Sequence, residues 1–233
     1  MKKELILIGA GGVLGKGASG VLVKKDFDQI YLIDRKIHEL NFQSSKIKLI
    51  ECKDLSIEEN VIECFRQIPP SKEKVFFLFS TIGGFAGGKK IRETDAAEFE
   101  KMNNLNLKSS FFIAKYFSQI VKESAGGSIC FTAALTGVQP EIKKSAYGLA
   151  KAGLIHLVKT LSLEGREINL TANAIAPYII DTPENRKWIK ETDYDAWLKP
   201  EEIGELIFSL FSNYNFVSGN VLKLPFRLRQ NVS

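Results

Sequence analysis

The amino-acid sequence predicts an α/β fold: a single doubly wound parallel sheet of about seven strands with helices on both faces. Two observations carry this expectation. Short apolar runs alternate along the chain with longer stretches whose apolar residues recur at helical spacing. The first run also stops at a cluster of glycines, and the second stops at an acid.

Leu5 to Ile8 is apolar throughout, as a strand buried on both faces requires. Helical spacing follows over Val13 to Lys25, and the run Ile30 to Ile33 closes on Asp34. Lys46 to Ile50 and Val75 to Phe79 repeat the strand pattern around a helical stretch, Ile57 to Gln67, which Pro69-Pro70 terminates. A long helical segment over Ala96 to Lys122 leads through Ala125-Gly126-Gly127 into a strand at Ser128 to Phe131. Ser145 to Glu164 reads as helix and Thr171 to Ala176 as a strand ending at Pro177. Pro200 to Ser212 is the last helix, and Asn220 to Leu224 the last strand. This alternation implies right-handed βαβ crossovers. With no repeat or linker, residues 1–233 are expected to form one domain.

Composition narrows the function classes. The 233 residues are 45% hydrophobic and 25% charged, which excludes a disordered chain. The net charge of +5 comes from 32 basic and 27 acidic residues in no long like-charge block, so neither nucleic acid nor a membrane is expected as a partner. Cys52, Cys64 and Cys130 are odd in number and set among apolar neighbours, which suits buried thiols in a reducing compartment. His38 and His156 lack ligand spacing, so no metal is expected. The first apolar run is too short to span a membrane, and a cytoplasmic protein is expected.

The turn after the first strand reads Gly9-Ala10-Gly11-Gly12-Val13-Leu14-Gly15-Lys16-Gly17. Gly9, Gly12 and Gly15 satisfy one glycine spacing; Gly11, Gly15 and Gly17 satisfy another. Either lets the backbone approach a pyrophosphate at a helix N-terminus, where free N–H groups favour negative charge. The expected sheet is therefore of the Rossmann type. Asp34, 19 residues beyond Gly15, can accept both ribose hydroxyls of an adenosine and would repel a 2′-phosphate. NAD is expected on that ground, with NADP kept open by Arg35 and Lys36. Asp54-Leu55, just past the third strand, is a further candidate contact, at the adenine.

Tyr147 and Lys151 open a helix at i, i+4 spacing and so share a face. A phenol ionises near pH 10 in water, and a neighbouring ammonium is expected to lower that value. The pair makes chemical sense as a proton donor assisted by a cation.

The order of glycine turn, Asp34, Asp54, Asn106, Tyr147-x-x-x-Lys151 and Asn173-Ala-Ile-Ala-Pro177 resembles the short-chain dehydrogenase/reductase family across nearly the whole chain. The resemblance implies that Tyr147 is the catalytic acid/base and that Lys151 binds the nicotinamide ribose. It implies that Asn106 holds a water in a proton relay, that Gly83 and Pro177 sit at the cofactor, and that Ile180 and Thr182 contact the carboxamide. It also implies a homodimer or homotetramer through the helices Ala96–Lys122 and Ser145–Glu164, and a substrate covered by residues 178–199, Tyr178 among them.

Three segments depart from the family pattern. The usual serine 13 positions before the tyrosine is Ala134; the usual Asn-Asn-Ala-Gly is Ser80-Thr81-Ile82-Gly83; the usual Pro-Gly is Pro177-Tyr178. These departures argue against ordinary alcohol dehydrogenation. Ile82-Gly83-Gly84-Phe85-Ala86-Gly87-Gly88 and Asp181-Thr182-Pro183-Glu184-Asn185-Arg186-Lys187 are similar to the corresponding segments of dihydropteridine reductases. That branch also has alanine for the serine and reduces quinonoid dihydropterins with NADH. A quinonoid ring is already electrophilic, so hydride transfer to it needs less help from a hydroxyl. Phe85 either stacks on such a ring or packs under Trp188; Thr132 and Thr136 flank Ala134 without being expected to replace the hydroxyl. The leading expectation is an NADH-dependent reductase of a planar, electron-poor heterocycle. The alternatives are a general carbonyl or 3-oxoacyl reductase and a non-catalytic NAD(P)-binding redox sensor.

Overall fold

A computed structural model describes residues 1–228, apart from 43 and 190–192. The elements follow in chain order: β1 (Lys2–Ile8), α1 (Val13–Leu22), β2 (Gln29–Asp34), β3 (Ile47–Glu51), α2 (Glu58–Phe65) and β4 (Lys74–Ser80). Next come α3 (Ala96–Asn103), α4 (Ser109–Lys122), β5 (Gly126–Thr132), α5 (Leu135–Val138) and α6 (Ser145–Glu164). The chain continues through β6 (Leu170–Pro177), α7 (Pro183–Trp188), α8 (Pro200–Ser212) and β7 (Val221–Leu224). Seven strands make one parallel sheet in the order β3-β2-β1-β4-β5-β6-β7, so the expected doubly wound Rossmann-type architecture is present. Strand order reverses between β1 and β4. Loops leaving these two strands diverge there, and a crevice opens at their carboxyl ends.

Alternation along the strands feeds two separate cores. Leu5 and Leu7 of β1 join Leu14, Ala18 and Leu22 of α1 and Ile203, Ile207 and Phe211 of α8. Ile6 and Ile8 point to the other face, with Val61 of α2, Ile113 and Phe117 of α4 and Leu154 and Val158 of α6. Burial on both sides explains why the strands read as continuous apolar runs.

Four local differences from the sequence expectation have physical causes. β1 starts at Lys2, because Glu4 is buried as the partner of Lys74 (3.1 Å) and the Tyr31 hydroxyl (3.1 Å). β5 starts at Gly126, ahead of the expected Ser128. A Cβ at Gly127 would stand 2.6 Å from Val121 Cγ2, so the Gly-Gly pair is strand backbone passing close to a helix, and no turn. α1 ends at Leu22 and α2 at Phe65, each short of the predicted boundary; exposed Arg66 and Gln67 follow α2, and half-buried Val23 followed by exposed Lys24 follows α1. The long segment from Ala96 to Lys122 is helical throughout but carries a π-helical turn over Asn104–Lys108.

Gly17 has no place in the glycine turn. A Cβ there would collide with Pro200 of α8, and a Cβ at Gly204 of α8 would stand 3.1 Å from Ala18 Cα of α1. The second glycine spacing is therefore a helix-packing signal. Gly17→Val is expected to force α1 and α8 apart and lower stability by about 1–3 kcal/mol. Urea-unfolding midpoints of the two proteins check this.

Candidate active site

At the carboxyl end of β1 the chain turns at Gly9, whose φ of 85° is a left-handed conformation that glycine adopts without strain. A side chain at Gly9 would also strike Thr81 Oγ1, which donates to the Ile8 and Gly9 carbonyls at 3.0 Å. Gly15 of α1 lies against the same turn, and a Cβ there would collide with the Gly9 carbonyl. These contacts hold the start of α1 close to the strand end. No side chain caps that helix and no acid occupies its first turn, so its free N–H groups and dipole are left for an anion.

A cleft of about 760 Å³ opens at this turn, within the roughly 300–1,000 Å³ range of ligand pockets. It is lined by Gly9, Gly12, Val13, Leu14, Gly15, Asp34, Arg35, Asp54, Leu55, Gly83 and Thr182, all expected cofactor contacts. Asp34 accepts the Gly11 N–H at 2.9 Å and the Lys36 N–H at 3.0 Å, which fixes its carboxylate at the end of β2. Asp54 is capped by the N–H (2.9 Å) and hydroxyl (2.8 Å) of Ser56, whose bonds hold its carboxyl below the usual range. Thr81 was not among the expected site residues, because its contribution is a loop brace, and Gly11 was expected at a pyrophosphate turn, whereas its N–H is engaged by Asp34.

A second cavity of about 370 Å³ adjoins the first, sharing Leu14, Thr81, Ile82, Gly83 and Thr182 with it. Lys151, Pro177, Ile180, Phe85, Ala134, Tyr147 and Tyr178 line it as expected. Lys144, Thr136 and Asn185 line it as well. Asn185 leaves a trace in the quoted Asp181–Lys187 segment and Thr136 in the stretch around Ala134, but Lys144 belongs to no motif. Residues after β6 fold back over this cavity through a parallel bridge between Ile180 and Leu198, and Thr182 caps α7 by accepting the Asn185 N–H at 3.1 Å. Phe85 is exposed and meets the Tyr147 ring edge-on at 5.1 Å. The side chain of Trp188, its alternative partner, lies outside the described residues.

Lys151 is 3% exposed, and its Nζ donates to the Thr132 carbonyl at 2.7 Å. Burial of the ammonium brings its pKa down to about 7. Burial first, and the Glu141 carboxylate second, hold the Tyr147 phenol above its ordinary value. The expectation that Lys151 would favour the phenolate is thus reversed in this geometry: the nitrogen lies 5.8 Å from the ring centroid, and desolvation outweighs its charge. At neutral pH the phenol therefore keeps its proton, as a weaker acid than a free tyrosine.

Asn106 lines neither cavity. It is fully buried in the π turn, with Nδ2 donating to the Gly84 and Met102 carbonyls (3.0 Å each) and Oδ1 accepting the Gly84 N–H at 3.1 Å. A Cβ at Gly83 would lie 2.7 Å from Asn106 Oδ1 and 2.9 Å from Lys151 Nζ. Asn106 therefore braces the Gly83-Gly84 backbone beside Lys151. Any relay through its side chain has only the second lone pair of Oδ1 to use. The hydroxyls flanking Ala134 are both engaged: Thr132 Oγ1 donates to the Ser80 carbonyl at 2.9 Å, and Thr136 Oγ1 donates to Glu141. The three cysteines are free and buried, and among the described residues no group of His, Cys, Asp or Glu is arranged for a metal. No described helix is long and apolar enough to cross a membrane.

Residues 3–193 match the family model for short chain dehydrogenase. A dihydropteridine reductase of Dictyostelium discoideum is 25% identical, over 100% of this chain and 98% of its own length. Carbonyl reductase family member 4 of Xenopus tropicalis is 24% identical, over 95% of this chain and 96% of its own. The fold is similar to that of ElxO with NADP bound, with a TM-score of 0.81 at 23% identity over 97% of this chain and 98% of that one.

The pKa of Lys151 has a measurable consequence for stability. Between pH 7 and its unfolded value of 10.5, the unfolded chain binds a proton that the folded chain has released. Stability therefore rises with pH across this window, and the full cost of burying the ammonium is felt only below it. From pH 7 to pH 9 the wild type is expected to gain about 2 kcal/mol relative to Lys151→Met. Urea denaturation of both proteins at the two pH values checks the sign and the size.

Proposed function

The chain belongs to the short chain dehydrogenase family, and from that we propose that it reduces a planar, electron-poor heterocycle such as a quinonoid dihydropterin, using NADH. As a member it is an NAD(P)-dependent oxidoreductase acting on a small molecule. The observation that carries the finer reading is the wall around Ala134. Neither flanking threonine has a hydroxyl proton to offer, so nothing at Ala134 replaces the missing hydroxyl for a substrate carbonyl held by Tyr147. A ketone needs that polarisation; a quinonoid ring is electrophilic without it. The full-length similarity to a dihydropteridine reductase supports the same reading.

The residues present fit the cofactor. The uncapped start of α1 and the glycine turn suit a pyrophosphate, a side chain at Gly9 or Gly15 would fill the space beside it, and Asp34 suits a ribose diol. The bound nicotinamide would supply the hydride. Tyr147 holds the proton to be delivered to the substrate, and Lys151 stands beside Gly83 as a donor for ribose hydroxyls. Thr182 lies where the two cavities join and Ile180 lines the second, and both are assigned to the carboxamide. Of the expected cover over residues 178–199, Tyr178, Ile179, Asn185 and Ile189 close over the substrate, and residues 190–192 lie outside the described residues; the cover belongs to one catalytic domain. Asp34 at the ribose favours NADH over NADPH. The exposed Phe111 of α4 and Leu149 and Leu163 of α6 supply apolar surface for a homodimer or homotetramer.

The test compares oxidation of NADH and NADPH with quinonoid dihydropterin, a ketone and an acyl thioester. Dihydropterin with NADH is expected to be the fastest pair. Tyr147→Phe should lower kcat by about 10²–10⁴ while NADH binding stays within a few-fold. Faster turnover of the ketone or thioester would overturn the substrate class, and an undiminished Phe variant would remove Tyr147 from its role.

A further inference from the structure

Three side chains near Tyr147, Thr136, Glu141 and Lys144, neither give nor take a proton in the transfer described above. Thr136 Oγ1 donates to Glu141 Oε1, and Lys144 Nζ donates to Glu141 Oε2 at 2.6 Å, so the three form one chain. Its two ends, Thr136 and Lys144, line the substrate cavity beside Ala134. Backbone geometry fixes the arrangement. Lys143 is held at φ 61°, a conformation uncommon for a residue with a side chain, and its carbonyl accepts the Gly88 N–H at 2.8 Å. That bond ties the segment carrying Glu141 and Lys144 to the glycine loop carrying Phe85. The Phe85 ring in turn lies 5.9 Å from Lys144 Nζ and edge-on to Tyr147. Local strain of this kind is kept where a group must be placed.

The chain of bonds sets the polarity of the wall. Burial pushes the Glu141 carboxyl up, but its bonds from Lys144 and Thr136 more than offset this and keep it ionised. An ionised carboxylate only accepts, so the single hydroxyl proton of Thr136 is committed to it. What Thr136 then offers a ligand is a lone pair. Lys144 gives one of its three N–H bonds to Glu141 and keeps two. An acceptor and a donor therefore stand together on one wall.

Resting on the heterocycle reading, we propose that Thr136 and Lys144 select a ring bearing a lactam edge, with Thr136 accepting its N–H and Lys144 donating to its C=O. Glu141 is the positioning residue that makes Thr136 an acceptor. A simple ketone or thioester has no N–H for Thr136, whereas a cyclic amide meets both partners.

Lumazine and 1,3-dimethyllumazine share one ring and both carbonyls, but the second carries methyl groups in place of both lactam N–H hydrogens. Each is titrated into the NAD-loaded protein and followed by tryptophan fluorescence, and the Kd for NADH of every variant confirms an intact site. Lumazine is expected to bind at least about ten-fold more tightly to the wild type, the size of one satisfied buried polar contact. Thr136→Val should shrink the gap below about three-fold by removing the lone pair. Thr136→Ser should retain the gap, and Lys144→Met should weaken both compounds alike. Equal binding to the wild type, no binding of either compound, or a gap that survives in Thr136→Val, as a steric effect of the methyl groups would, overturns the proposal. Turnover of dihydropterin without N–H discrimination sinks this inference alone. Discrimination without dihydropterin turnover sinks the heterocycle-reductase reading alone.

Discussion

A lysine nitrogen buried at the carboxyl ends of β4 and β5, with one carbonyl as its hydrogen-bond acceptor, is the constraint around which this site is arranged. Removing an ammonium from water is costly, and the Thr132 carbonyl at 2.7 Å offsets only part of the cost. The remainder appears as a pKa near 7. Such a group is tolerated because the sheet, the π turn and α6 over-determine its surroundings. Asn106 braces Gly83-Gly84 on one side, and a side chain at Gly83 would occupy the space that Lys151 Nζ and Asn106 Oδ1 share. A polar ligand that reached this nitrogen would supply the partners it lacks, which gives the site a free-energy reason to be filled.

The topology puts the rest within reach. Because strand order reverses between β1 and β4, the turn at Gly9 and the loop after Ser80 leave the sheet side by side. Thr81 brings them together by donating to both Ile8 and Gly9. The same loop then continues past Gly83 to Phe85 and Tyr147. One loop thus joins the cleft suited to a dinucleotide to the cavity that holds the phenol.

Much of this was legible in the sequence because the signals were local. Strands buried on both faces read as apolar runs, and the two best-defined helices, Ser145–Glu164 and Pro200–Ser212, matched their predicted limits. The residues read from spacing, Gly9, Gly12, Gly15, Asp34, Tyr147 and Lys151, line the two cavities, as do Gly83, Pro177, Ile180 and Thr182, which the family resemblance supplied; Gly17 and Asn106 do not. What was not legible depended on contacts between distant segments. Glu4, just ahead of the apolar run, is a buried ion-pair partner; Gly17 looks like a phosphate-turn glycine but answers to Pro200, and Gly126-Gly127 look like a turn but answer to Asn169 and to the packing of α4. The π turn leaves no pattern, since it is set by the Asn106 amide reaching back to Gly84. Spacing could place a phenol and an amine on one helical face, but it could not say that burial would outweigh their mutual effect.

Replacement of the usual serine by Ala134 is more than the loss of one hydroxyl. If it were only a deletion, a neighbouring threonine could turn its own proton into the gap, since a hydroxyl rotates freely. Both neighbours are prevented. Thr132 is held by the Ser80 carbonyl across β4 and β5, and Thr136 by a carboxylate that Lys144 keeps ionised. The Glu141 charge acts a second time, at a distance, by helping to hold the proton on Tyr147. One carboxylate therefore withdraws a donor from the substrate wall while preserving the donor that the chemistry needs. The polarity of the cavity is written in the direction of these hydrogen bonds as much as in the identity of the side chains.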